Sequence, residues 1–243
     1  MTPRRYTARQ AASRTLAFAA WLTTLLGPLS SRAAPASLES TLTLPSKPPT
    51  PGATFAILAT GDGGWAELDR ELARRLEAAD VPVVGWNSRA YYWTRRTPDE
   101  AAADLGRLIS RFRTEWQRPK VLLVGFSRGA DVLPFLASRL GSEHRASIRG
   151  VALLGPADLV DFKFHLTDYV RDAAPATALP VPPEIGRLRG LPLLVVYGEK
   201  DDSSCGPTLP RDVGRVVCVP GDHHFNRDYD RLARLILELG RSP

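Results

Sequence analysis

A chain of 243 residues with 44% hydrophobic and 24% charged residues has ordinary globular composition, which excludes wholesale disorder, collagen-like repeats and a cysteine-stapled miniprotein. One well-buried core fits that length, and two full domains would be cramped. The net charge of +6 suggests a polyanion partner, but residues 1–36 carry five arginines (Arg4, Arg5, Arg9, Arg14, Arg32) and no lysine or acid; without them 27 basic residues face 26 acidic ones, and +1 is too little for a general nucleic-acid binder.

Residues 1–36 read as a secretory signal peptide. They are basic over 1–14, apolar over 15–29, and then offer small residues at Ser31-Arg32-Ala33 and Ala34-Pro35-Ala36 for cleavage. The apolar run is short of the roughly 20 residues that span a bilayer, so export is expected rather than a retained anchor, and the expected compartment is a bacterial periplasm. Oxidising surroundings there permit one disulfide between Cys205 and Cys218, the two cysteines of the chain; two unpaired thiols are the alternative. No ligand cluster accompanies them, so no metal site is expected.

Residues 37–53 predict an edge strand near 38–44 followed by a Pro-rich linker. From residue 54 to 243, short apolar runs alternate with helix-period segments, the pattern of an α/β domain with a parallel sheet. The expected strands are Phe55–Thr60, Val81–Trp86, Val121–Gly125, Ile148–Leu154, Leu193–Tyr197 and Val213–Val219. Between them, residues 66–79 place Leu68, Leu72 and Leu76 on one stripe of a helix. Residues 98–117 form a second helix, opened by Thr97 as cap, Pro98 at the first position and Glu100 completing a capping box. A third covers Ala130–Leu140, and a last one, about 228–239, stops at Gly240. Residues 155–190 are irregular and Pro-rich, as expected of a cap over the sheet.

Gly125-Phe126-Ser127-Arg128-Gly129 stands between a strand and a helix, the setting a G-x-S-x-G nucleophile turn requires. The flanking glycines relieve crowding in a sharp turn that exposes the Ser127 hydroxyl. The same turn sets the Arg128 amide at a helix N-terminus, where it can hold an oxyanion. A hydroxyl needs a base. Of four histidines, His223 and His224 lie after the final strand, where this fold order places the base; resemblance to relatives with a His-x-Phe pattern at this place favours His223, with His224 as the alternate. His144 reads as a surface residue and His165 as part of the cap. The acid is expected after the penultimate strand, at Asp201, which has the usual Gly-x-x-Asp spacing, with its neighbour Asp202 as the alternate. Thr60-Gly61-Asp62-Gly63-Gly64-Trp65 reads as the second oxyanion loop through Asp62 and Gly63. It lacks the lysine of a phosphate-binding loop and no dinucleotide fingerprint is present, so no cofactor is expected. Tyr91-Tyr92-Trp93-Thr-Arg95-Arg96 mixes aromatics with arginines. Together with Trp65 it suggests a substrate wall through Tyr92 and Arg96, with a solvated packing loop as the alternative.

These segments resemble one family, the bacterial virulence protein VirJ and the matching C-terminal domain of AcvB. The resemblance is carried by Gly61-Asp-Gly-Gly-Trp65, Tyr91-Tyr-Trp93 with Arg96-Thr-Pro98, Gly125-Phe-Ser-Arg-Gly-Ala-Asp-Val-Leu-Pro-Phe135, Tyr197-Gly198, the Asp-Ser-Ser-Cys205 run and Gly221-Asp-His-His-Phe225. It implies an α/β-hydrolase fold, a mostly parallel sheet flanked by helices on both faces with a small irregular cap. It also implies a periplasmic serine hydrolase that cleaves the aminoacyl ester of aminoacylated phosphatidylglycerol, chiefly lysyl-phosphatidylglycerol, at the membrane surface. Links to virulence and type IV secretion components come with it. A lysyl substrate would ask for an acidic contact, with Asp62, Asp158 and Asp161 as candidates, and Arg128 could face the lipid phosphate. The rival readings are a general carboxylesterase or thioesterase, and a non-catalytic secretion adaptor.

Overall fold

The apolar runs become strands because helices cover them on both faces. The computed structural model describes residues 37–164 and 175–240. Its strands are β1 (Leu42–Thr43), β2 (Thr54–Ala59), β3 (Val83–Trp86), β4 (Lys120–Phe126), β5 (Ile148–Leu154), β6 (Leu159–Val160), β7 (Leu179–Pro180), β8 (Leu193–Gly198) and β9 (Arg215–Val219). Its helices are α1 (Glu67–Ala78), α2 (Ser88–Tyr91), α3 (Pro98–Glu115), α4 (Arg128–Ser138), α5 (Ser142–Ser147), α6 (Val181–Gly186) and α7 (Tyr229–Leu239). The main sheet has seven strands in the order β1-β3-β2-β4-β5-β8-β9. All its pairings are parallel except that of β1 with β3.

Alternation along β2 divides the core. Phe55, Ile57 and Ala59 pack with Leu105, Ile109 and Phe112 of α3 and Leu133 and Leu136 of α4. Ala56 and Leu58 pack with Leu68, Leu72 and Leu76 of α1 and Leu232 and Ile236 of α7. Each such fully buried Leu, Ile or Phe contributes roughly 1.5–3 kcal/mol relative to an exposed one. The opening of α3 follows its sequence: Thr97 Oγ1 accepts from the Glu100 amide at 3.2 Å and Glu100 Oε2 accepts from the Thr97 amide at 2.8 Å.

Two expectations change. The strand near 38–44 shrinks to Leu42–Thr43, because Glu39–Thr41 winds into a 3-10 turn. Hydroxyls hold that turn, with Thr41 Oγ1 donating to the Leu38 carbonyl at 2.6 Å and Ser40 Oγ to that of Ser37 at 2.8 Å. Within 155–190, β6 and β7 form a small antiparallel ladder. His165 lies outside the described residues, and so does the expected export segment 1–36.

The linker before β2 is fixed by one buried cation. Arg118 is 1% exposed and donates to the carbonyls of Thr50, Thr54 and Asp80 and to the Asp80 carboxylate. Gly52 lies flat on this guanidinium, where a Cβ would come within 2.5 Å of Cζ. Arg118→Ala strands those acceptors and should cost about 3 kcal/mol, read as a lower urea midpoint with an unchanged m-value.

β2 has β3 on one side and β4 on the other, so the strand order reverses between β2 and β4. Open α/β sheets bind their ligands in the crevice at such a point, outside the carboxyl ends of the strands.

Candidate active site

Ser127 sits at this crevice, between the last residue of β4 and the first of α4. Its backbone has φ 51° and ψ −122°, a left-handed conformation that costs a non-glycine residue about 1–3 kcal/mol. The turn is held by the Ser127 amide donating to the Leu154 carbonyl at 2.9 Å. Its tightness explains both glycines. A Cβ on Gly125 would lie 2.4 Å from the Gly129 carbonyl oxygen, and one on Gly129 2.0 Å from that of Ala59.

Asp201 and His223 meet beside this turn. His223 Nδ1 and Asp201 Oδ2 are 2.7 Å apart. The His223 ring packs on Phe126, the residue before Ser127, with centroids 5.3 Å apart. Its other flank meets Gly155, where a Cβ would stand 2.9 Å from the imidazole Cε1. Asp201 is buried, and burial alone would raise its pKa. Hydrogen bonds from Ser203 and His223 outweigh that and hold the carboxyl below its ordinary range. The second carboxylate oxygen is thus occupied too, by Ser203 Oγ at 2.6 Å. Ser203 belongs to the Asp-Ser-Ser-Cys205 run but had no role in the sequence reading. The alternates stand apart from this pair. Asp202 is exposed, and exposed His224 anchors its amide to Asp222 Oδ1 at 2.8 Å.

The loop after β2 approaches from the neighbouring strand. A Cβ on Gly61 would stand 3.1 Å from that of Ser127. The side chain of Asp62 is gripped by Arg128, through Nε and through Nη2 at 3.3 Å. Arg128 also donates to the Asp161 carbonyl at 2.7 Å, and its guanidinium lies over the Phe164 ring. Asp161 in turn takes a two-pronged contact from Arg95 at 2.7 and 3.0 Å and a bond from Thr177 at 2.9 Å. One chain of charges therefore ties the glycine loop, the serine turn and the cap together.

A cleft of about 500 Å³ has Ala66, Leu68, Phe126, His224 and Tyr229 in its wall and meets the site at Phe126, without Ser127, Asp201 or His223 in its lining. A groove of about 920 Å³ lies elsewhere, between α3 and the end of α4. It holds a Ser110–His144 contact at 2.7 Å, and among the described residues no carboxylate is bonded to that imidazole.

The model of the bacterial virulence protein VirJ family matches residues 53–242. The chain belongs to the VirJ family. No curated protein matches it significantly. Among solved structures, this VirJ-family chain is similar to the Est1E protein of Butyrivibrio proteoclasticus with ferulic acid bound, at TM-score 0.54 and 15% identity over 81% of this chain and 91% of that one. It is also similar to XC6422 of Xanthomonas campestris, an α/β serine hydrolase without a lid, at TM-score 0.51 and 17% identity over 82% and 86%. A third is LpqC of Bordetella parapertussis, a poly(3-hydroxybutyrate) depolymerase, at TM-score 0.52 and 16% identity over 85% and 87%. The fold is that of the α/β-hydrolases.

Several expected contacts of the VirJ-family chain fall elsewhere. Tyr92 is buried, its ring packed edge-on against Tyr91 and Phe162, so it belongs to the core and not to a substrate wall. Trp65 lies across Gly85 of β3, where a Cβ would come within 2.4 Å of its ring, and serves packing too. The Arg96 guanidinium stacks on Tyr91 at 4.9 Å. Arg128 is buried against Asp62, not turned outward to a phosphate. Asp62 and Asp161 are engaged by arginine, whereas Asp158 is exposed.

The disulfide is not formed: both cysteines are free, Cys205 buried and Cys218 exposed. Cys205 is held under the cap by its amide bond to the Pro156 carbonyl at 2.8 Å, while Cys218 lies on β9 opposite Tyr197. The Tyr197 ring fills the space over Gly206, next to Cys205, which keeps that region packed with no bridge.

Two buried carboxyls set a pH dependence. Burial pushes Asp131 up to about 7 and Asp69 up to about 6. Both keep a proton in the folded chain where the unfolded chain has lost it, above about pH 4. Their contribution to stability is complete below about pH 4 and is lost as pH rises through 6 and 7. Asp131→Asn removes one of the two, so its Tm advantage over the parent should grow between about pH 5 and pH 7.5. A constant difference would contradict a raised Asp131 pKa.

Proposed function

We propose that this VirJ-family chain is a periplasmic serine esterase that removes the amino acid from aminoacylated phosphatidylglycerol, the lysyl ester first. The observation that carries the reading is the Asp201–His223 pair, packed on Phe126 beside the strained Ser127 turn. In this reading Ser127 Oγ attacks the ester carbonyl carbon while the free His223 nitrogen takes the hydroxyl proton. Asp201 orients the imidazole and stabilises the imidazolium. The amides of Arg128, Asp62 and Gly63 hold the oxyanion. Collapse breaks the ester bond and expels the glycerol oxygen of the head group, which takes the proton from His223. Water, deprotonated by the same imidazole, then frees the amino acid and restores Ser127.

In this reading the cleft that includes Phe126 takes the aminoacyl portion, with Asp222 in its lining for an ammonium group, while Glu67 there is paired with Arg227 at 3.6 Å. Asp158 is the other exposed acid among the earlier candidates. Trp93 and Leu159, 47% and 46% exposed, with Leu179 beside Val160 on the β6–β7 ladder, supply apolar contacts for a lipid surface. The test is incubation of the purified chain with vesicles containing lysyl-phosphatidylglycerol, scored by mass spectrometry for lysine and phosphatidylglycerol. Turnover of a p-nitrophenyl ester without lysine release would instead favour a general carboxylesterase or thioesterase. No ester turnover, with co-purification of type IV secretion components, would favour the adaptor.

A further inference from the structure

Asp131 lies one helical turn beyond the serine, its amide donating to the Ser127 carbonyl at 3.0 Å. Its side chain is 7% exposed and turns toward the segment that leaves β5. There Oδ1 accepts the Ala157 amide at 2.7 Å. Ala157 bridges to Ser204, and the Ser204 hydroxyl and the Cys205 amide both donate to the Pro156 carbonyl, at 3.0 and 2.8 Å. The Ser204 amide in turn donates to the Asp201 carbonyl at 3.2 Å. On the same segment, Gly155 is the surface on which the His223 ring and the Asp201 carboxylate rest. A single carboxyl oxygen thus joins the serine helix to the loop that presents the acid and to the strand end that backs the imidazole.

We propose that Asp131 is a positioning residue, whose acceptor oxygen pins residues 155–157 and through them sets the Asp201–His223 pair relative to Ser127. What it supplies is the acceptor oxygen, which serves in either protonation state. Burial disfavours its ionised form, and Asp62 and Asp201 face it from two other loops with the same sign. The Ala157 amide and Arg128, the cation of its own helix, favour the ionised form, and burial outweighs them. The Cys205 thiol on the remaining side is itself pushed up to about 12, by burial first and then by Asp131 and Asp158, and so supplies no charge at neutral pH. Asn at 131 offers the same amide acceptor without the charge; Ala offers none.

The proposal rests on the esterase reading only for its effect on rate, so the test has a second readout that needs no substrate. In the full chain, NMR of the His223 ring proton shared with Asp201 reports the pair directly. Asp131→Asn should keep that low-field signal and keep kcat on a p-nitrophenyl ester within about threefold of the parent. Asp131→Ala should broaden or lose the signal and lower kcat about 10²-fold, the order expected when reacting groups shift by about 1 Å, with KM little changed. If Asp131→Ala does not fold, Asp131→Glu displaces the acceptor while keeping the acid and should lose the signal likewise. An unchanged signal in the Ala or Glu variant, or an Asn variant as impaired as the Ala variant, would overturn the proposal. Absence of turnover in the parent with the NMR pattern intact would count against the esterase reading alone.

Discussion

Ser127→Ala is expected to remove ester hydrolysis, by at least about 10³-fold, while leaving the fold intact. The loss follows from chemistry: alanine has no oxygen to form the acyl intermediate, and what remains is the weak catalysis of a water molecule held in the oxyanion site. Retention of the fold follows from the backbone. Position 127 keeps φ near 51° because Gly125, Gly129 and the bond to Leu154 force it, and alanine bears the same strain as serine. The two effects separate cleanly when lysine release and thermal unfolding are measured on the same preparation. Ser127→Gly sharpens the comparison. Glycine enters the left-handed region freely, so this variant should be equally inactive yet more stable than Ser127→Ala by about 1 kcal/mol. Loss of fluorophosphonate labelling in both would place the nucleophile at this residue. Undiminished hydrolysis in the alanine variant would end the mechanism.

What could be read from the sequence depended on how local each signal was. The serine turn was legible because its requirements are contiguous: an apolar strand, glycines at −2 and +2, and a helix. The strand runs were legible because burial on both faces leaves no polar alternation to confuse. The acid and the base were narrowed by their order in the chain to two neighbours each, and only coordinates distinguish Asp201 from Asp202, since adjacent residues share a loop but not a direction. Arg128–Asp62 had no local signature, for 66 positions separate the partners. Tyr92 was misread for a related reason. An aromatic among arginines has the composition of a surface loop, and its burial is fixed by Phe162 from the distant cap. The cysteine expectation failed because compartment chemistry permits a bridge but does not supply its geometry. The cap was legible only as irregular, since its place is fixed by partners far away in the chain: the Arg96 amide donates to the Phe162 carbonyl, the Phe164 amide to that of Tyr92, and Arg95 to the Asp161 carboxylate.

The second large effect is expected at the pair itself. Asp201→Asn should lower kcat by up to about 10⁴-fold, the order seen when a carboxylate that orients a catalytic imidazole becomes an amide. In the proposed mechanism Asp201 Oδ2 accepts the Nδ1–H of His223, their atoms being 2.7 Å apart, which leaves the other nitrogen as the lone-pair base. An asparagine whose amide nitrogen takes that place donates to Nδ1 instead, and the proton is then forced onto the nitrogen that must receive one. Ser203 Oγ, at 2.6 Å from Oδ1, favours that orientation because its hydroxyl seeks an acceptor, so the amide oxygen is drawn to Ser203 and the NH₂ group to the imidazole. His223→Ala should be as damaging as Ser127→Ala, for the two act as a unit. His224→Ala is the control within the same loop: its ring meets Phe126 at a tilt and His223 edge-on but has no carboxylate partner among the described residues, so kcat should stay within about threefold. Comparable losses at His223 and His224 would mean that the loop rearranges before chemistry. A severe loss at His224 alone would transfer the base to it and leave the Asp201–His223 bond a structural contact.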